Sequence, residues 1–122
     1  EWYAEHPLVP LSQIKYLFNL DMIGDNNPAQ YCEVSPEGER GYRLFEKINK
    51  EKGYFTALDR GELAANSDHW PFAQRNVPCI FIENKEGDAF KYYHTIYDTW
   101  ENAIFTSYEP VFKLVKDFIE QY

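Results

Sequence analysis

Asp21 closes an alternating apolar run from Ile14 to Met22 and is followed by Met22-Ile23-Gly24. A carboxylate at that point reads in two ways. It is a turn former, because Asp mimics a backbone turn, or it is a metal ligand or acid at the carboxyl edge of a sheet. Its local sequence alone favours the turn. His94 lies in Tyr92-Tyr93-His94-Thr95-Ile96-Tyr97-Asp98-Thr99 and is one of only 3 histidines. Neutral imidazole is the commonest metal ligand, and its second nitrogen needs a carboxylate or carbonyl to orient it. Asp98 can fill that place or cap the turn before Trp100, and an isolated histidine is more often structural. Ser67-Asp68-His69 precedes a short helical stretch. Either Ser67 or Asp68 caps that helix with His69 in its first turn, or Asp68 stands beside an active centre. Glu83 ends a buried apolar run and faces the same crevice or solvent; His6, before Pro7, reads as a surface residue.

Other chemistries fail on spacing. The sequence holds no HExxH, GxSxG, Walker loop or GxGxxG. Cys32 and Cys79 are far apart and neither forms a CxxC pair, which excludes a zinc ribbon or thioredoxin site. Two free thiols are favoured over a disulfide, because Val77-Pro78-Cys79-Ile80-Phe81-Ile82 reads as a buried strand, where Cys acts as a small hydrophobe.

The elements that must position these residues follow from periodicity and punctuation. Residues 1–13, broken by Pro7 and Pro10, form a connector. Ile14, Tyr16, Phe18, Leu20 and Met22 alternate as a strand, and Gly24-Asp25-Asn26-Asn27-Pro28 ends it with turn chemistry. Gln30 to Val34 is a weaker strand. Ser35-Pro36-Glu37 reads as a cap, a proline at the first helical position and an early acid. Leu44, Phe45 and Ile48 follow at helical spacing, and Gly53 ends that helix at the residue just past it. A short strand is expected at Tyr54–Leu58, a helix around His69–Arg75, and the clearest buried strand at Pro78–Glu83. Asn84 to Asp88 reads as loop, and residues 89–105 carry no clean period. Thr106-Ser107-Tyr108-Glu109 has the form of a capping box, ahead of a helix whose apolar face is Val111, Leu114, Val115, Phe118 and Tyr122. Strands alternating with helices predict an α/β layer structure with a mostly parallel sheet. Ligands bind such sheets beyond the carboxyl ends of the strands.

The 122 residues amount to one domain. Area scaling for 14.5 kDa gives about 7,000 Å² of folded surface against about 21,000 Å² for the extended chain. A core is therefore attainable without staples. Aromatic residues make up 18% of the chain, which opposes disorder. A formal charge of -8 opposes nonspecific nucleic-acid binding and docking on anionic membranes. No run approaches the ~18 apolar residues of a membrane span.

Four blocks then occur in order: Asn19-Leu20-Asp21-Met22-Ile23-Gly24, Ser67-Asp68-His69-Trp70-Pro71-Phe72, Val77-Pro78-Cys79-Ile80-Phe81 and Tyr93-His94-Thr95-Ile96-Tyr97-Asp98-Thr99. Together they resemble the carboxyl-terminal part of M28-family zinc aminopeptidases of the bacterial leucine aminopeptidase kind. His6-Pro7-Leu8-Val9-Pro10-Leu11 is similar to the segment before that first block in bacterial members. Each block is weak alone; four at natural spacing are specific.

The resemblance implies a two-zinc peptidase that removes residues from peptide amino termini. It implies metal ligation by Asp21 and His94, a place beside the active centre for Asp68, and a match of Asp98 to the family's Tyr-Asp-Thr turn. The family's remaining ligands come from an HxD motif and a Glu-Glu pair whose first Glu is the general base. Neither motif occurs in these residues. Residues 1–122 are thus expected to be the carboxyl-terminal portion of a single M28-like domain, starting shortly after the Glu-Glu motif, with a partial three-layer zinc-exopeptidase fold. Two ligand positions without a base predict a weakly held or empty zinc site and little peptidase activity from this segment alone. An exposed sheet edge and uncovered apolar faces predict self-association or pairing with the amino-terminal portion. A glutaminyl-cyclase-like zinc acyltransferase shares the fold and is the alternative enzyme; a non-catalytic binding or structural module is the alternative outside enzymes. The resemblance also suggests an exported, extracytoplasmic protein.

Overall fold

A computed structural model describes residues 1–24, 27–84, 89–103 and 106–122. Its centre is a four-stranded sheet in the order β1-β4-β2-β3, built from β1 (Leu17–Asp21), β2 (Ala29–Val34), β3 (Ala57–Arg60) and β4 (Cys79–Glu83). β1 runs parallel to β4 and β2 parallel to β3, while β2 and β4 are antiparallel. The expected mostly parallel α/β sheet is present. The helices are α1 (Trp2–Glu5), α2 (Glu39–Lys52), α3 (Trp70–Ala73) and α4 (Tyr108–Gln121). The turn expected at 24–28 and the loop expected at 84–88 lie partly outside the described residues, as do two positions of 89–105.

Side-chain alternation divides the sheet into two faces. Cys32, Val34, Ile80 and Ile82 point towards α2 and α4, where they meet Tyr42, Phe45, Ile48, Val111, Leu114 and Phe118 in one buried cluster. Tyr16 and Phe18 pack against its margin, and Phe18 meets Phe118 edge-on at 5.0 Å between ring centres. Close approach of α2 to the sheet depends on Gly41, since a β-carbon there would collide with the Tyr16 ring.

Ser35 sets the start of the first long helix. Its Oγ accepts the Gly38 and Cys79 amides, both at 3.1 Å, and donates to the Val77 carbonyl at 3.3 Å. One hydroxyl thereby caps the 3-10 turn Pro36–Gly38 that leads into α2 and ties it to the start of β4. At the other end Gly53 takes φ 67°, the left-handed stop that glycine adopts without steric cost. The expected capping box at α4 does not form. Ser107 is helical at φ -93°, ψ -8° and makes no side-chain cap; its hydroxyl instead donates to the Asn27 carbonyl at 3.4 Å. Glu109 turns outward to Lys113, 2.7 Å away. Docking of the 106–107 segment onto the Gly24 carbonyl replaces the reciprocal box.

Both cysteines are free and buried. Burial pushes the Cys32 thiol up to about 12 and raises that of Cys79 too, so neither is a thiolate near neutral pH. No helix among the described residues is long and apolar enough to cross a membrane.

Candidate functional site

β1 and β4 run side by side and end together, in the register Asn19↔Phe81, Leu20↔Ile82, Asp21↔Glu83. On the far side of β4, Tyr31 pairs with Glu83 and Glu33 with Phe81. The sheet face turned away from α2 and α4 therefore carries an outer row of Asp21, Glu83 and Tyr31 and an inner row of Asn19, Phe81 and Glu33. Asp21 is exposed at the carboxyl edge, with Glu83 beside it. The chain leaves β1 through Met22 at φ 50°. A left-handed conformation is costly for a residue with a β-carbon, about 1–3 kcal/mol, and such residues cluster at functional sites.

His94 follows the 3-10 turn Ala89–Tyr92 and is itself left-handed, at φ 57°. Its exposed ring stacks on Tyr93 at 3.8 Å between centres. Residues 92–102 are held by their own turns. Thr95 Oγ1 donates to the Tyr92 carbonyl at 2.7 Å, and the Asp98 amide donates to the Thr95 carbonyl at 3.2 Å. Asp98 lies in this turn, and among the described residues no hydrogen bond or ion pair joins it to His94. Nor do three or more His, Cys, Asp or Glu side chains converge on one metal-sized point among the described residues.

The inner row is covered by residues 64–69. Glu33 is 1% exposed; its carboxylate accepts the Ala64 amide and the Asn66 side-chain amide, each at 2.9 Å. His69 is 0% exposed and stacks almost flat on Phe81, 4.9 Å between centres and 5° between planes. Its Nε2 points towards Glu33 Oε2 at 3.6 Å, just outside hydrogen-bond reach. The Asn19 amide donates to Ser67 Oγ at 2.8 Å and approaches His69 Nδ1 at 3.5 Å. A donor facing Nδ1 leaves the ring proton on Nε2, on the Glu33 side. Burial lowers the His69 pKa, against the opposing pull of Glu33, the Ala64 backbone and Asp68. The imidazole is neutral at pH 7.

Sequence reasoning placed Asp21 correctly at a strand end. His69, expected in the first turn of α3, instead precedes it as its cap residue and lies buried under the loop. Glu33 was missed. The available signal was an acid between Cys32 and Val34 in a strand, where only a buried partner set makes a carboxylate tolerable.

A family model for Peptidase family M28 matches residues 1–119. The chain belongs to peptidase family M28. Solved structures with the same fold include two of the Legionella pneumophila LapA aminopeptidase. The first has a TM-score of 0.67 at 18% identity and matches 96% of this chain and 32% of its own. The second has a TM-score of 0.66 at 18% identity, with 98% and 38% covered. This M28 chain thus spans about a third of the length of the aminopeptidases it matches. No curated protein sequence matches it.

Proposed function

We propose that this chain is the carboxyl-terminal portion of a zinc-dependent M28 aminopeptidase domain, that Asp21 and His94 are two of its metal ligands, and that Asp68 and Asp98 support the site from beside it. The observation that carries the reading is the placement of Asp21 within an M28 chain. It is an exposed carboxylate at the joint end of two parallel strands, followed at once by a left-handed residue. His94 is likewise exposed, and its own backbone is left-handed as that of Met22 is beside Asp21. Oxygen and imidazole nitrogen donors suit zinc. When bound, zinc lowers the pKa of its water to about 7 and polarises a carbonyl.

What the chain itself contributes is positional. The pairing of β1 with β4 fixes the height of the Asp21 carboxylate, and the hydrogen-bonded turns of residues 92–102 present the His94 imidazole. Two donors make up only part of the three or four side chains that zinc requires. The remaining donors and the base that accepts the water proton therefore come from outside these 122 residues. Residues 1–122 alone hold zinc weakly and turn over little peptide. The substrate is a peptide or aminoacyl compound with a free amino terminus. The domain acts outside the cytoplasm.

The test is zinc-dependent hydrolysis of aminoacyl p-nitroanilides by the product of the complete open reading frame that encodes this chain. The intact protein is expected to be active and lost to chelators. Asp21→Asn and His94→Gln are each expected to lower kcat/KM by at least about a hundredfold, the scale of a lost ligand or its support. Wild-type turnover in both variants would overturn the assignment.

A further inference from the structure

The proposed metal chemistry makes no use of the buried Glu33 carboxylate, which has the buried His69 against it. Burying a carboxylate is costly unless it is paired and hydrogen-bonded. Here its two oxygens hold the backbone of Ala64 and the side chain of Asn66, with His69 Nε2 facing one of them at 3.6 Å. All three contacts belong to a single loop segment, residues 64–69. A core acid serving only to fill space would be replaceable by a hydrocarbon; this one is committed to fixing a loop. The loop's next attachment is Ser67, bound to Asn19 at 2.8 Å. Asn19 lies two residues before Asp21 and on the same sheet face.

We propose that Glu33 and His69 are positioning residues: together they clamp residues 64–69 to the sheet and so fix Ser67-Asp68 relative to Asp21. Glu33 supplies the anchor, Phe81 sets the height of the His69 ring, and the Asn19–Ser67 hydrogen bond carries the register to the strand that ends in Asp21. Neither Glu33 nor His69 touches substrate. Their effect is transmitted through the placement of Asp68, which is exposed. This inference rests on the aminopeptidase reading for its kinetic consequence and on the clamp geometry alone for its structural one.

The experiment uses the complete open reading frame product and the isosteric variant Glu33→Gln. Clamping predicts faster amide exchange confined to residues 62–69, with β4 and α4 protected as in wild type. It also predicts a fall in kcat of the order of 10–100-fold, the scale of a small misplacement near a reacting centre. KM should stay within about threefold. Should Glu33→Gln fail to fold, Ser67→Ala removes the 2.8 Å tether to Asn19 without touching the buried acid, and is expected to change kcat in the same direction, less steeply. Unchanged kcat in the folded variants, or a loss that disappears when each is assayed well below its melting temperature, overturns the positioning role. If the wild type shows no zinc-dependent turnover, the peptidase reading falls. Exchange then decides the clamp alone: selective loosening of 62–69 supports it and unaltered exchange removes it.

Discussion

At the scale of single residues, the fold places its polar groups by what each one can bind, and His69 shows how that registers in stability. Its pKa is lowered by burial, whereas the unfolded chain titrates near the ordinary value of about 6.5. As pH falls through about 6.5 the unfolded state takes up the proton first, so the His69 contribution to stability is constant above that pH and declines below it until the folded imidazole also protonates. Urea unfolding at pH 7.5 and pH 5.0 checks this. His69→Gln should shrink the pH-dependent loss, and an identical loss in the variant would contradict it. Glu33 faces the same ring and the charge of Asp68 acts on it, so both carboxylates must be followed alongside it. Cys32 is expected to resist Ellman's reagent until the protein unfolds, because its thiol is buried and held near 12. The sequence carried Asp21 legibly, because an alternating apolar run must end somewhere and turn residues mark where. Glu33 was not legible, since what makes a buried acid acceptable is a loop some thirty residues later that folds over it. His69 was misplaced for a related reason: local capping rules see the helix that follows, whereas the ring answers to Phe81 and Glu33.

At the scale of elements, the helix starts separate a cap that forms from one that does not. Ser35 satisfies two amides and one carbonyl while 0% exposed. Ser35→Ala leaves the Cys79 amide without its partner and should cost about 1–3 kcal/mol in chemical denaturation. Glu109, by contrast, only reaches Lys113 across an exposed helix turn, and Glu109→Gln should leave stability nearly unchanged. A reversed order of these two costs would show that the box at α4 matters in solution. Gly41→Ala tests the approach of α2 to β1. It drives a methyl group into the Tyr16 ring and should destabilise by about 1–3 kcal/mol, the usual penalty for overpacking. Strand and helix types were readable from period and punctuation. The box at residues 106–109 was readable and wrong, because packing against Gly24 and Asn27 outbid a motif that stabilises a helix end by little more than a kilocalorie.

At the scale of the whole molecule, the accessible area stands somewhat above the size scaling for this mass. The accessible area is 7732 Å², against about 7,000 Å² from size scaling. Part of the excess is apolar: α4 exposes Tyr108, Phe112 and Ile119 on the side away from the core, at 53%, 65% and 66%. Among the described residues β1 ends the sheet order, with β4 its one neighbour in it. An edge strand and an apolar helix face invite a partner. We expect the isolated segment to self-associate in sedimentation velocity at micromolar concentration; a monomer across the whole concentration range would contradict that. Composition does not show this, because burial depends on which faces meet; the expectation of an exposed edge and uncovered apolar faces came from the resemblance. Where the metal sits decides the proposed function. Zinc-edge anomalous diffraction from crystals of the complete open reading frame product measures that directly. The prediction is two ions about 3.5–4 Å apart, with the Asp21 carboxylate and the His94 imidazole each about 2.0–2.2 Å from one of them. Zinc peaks that leave either side chain outside bonding distance would contradict it.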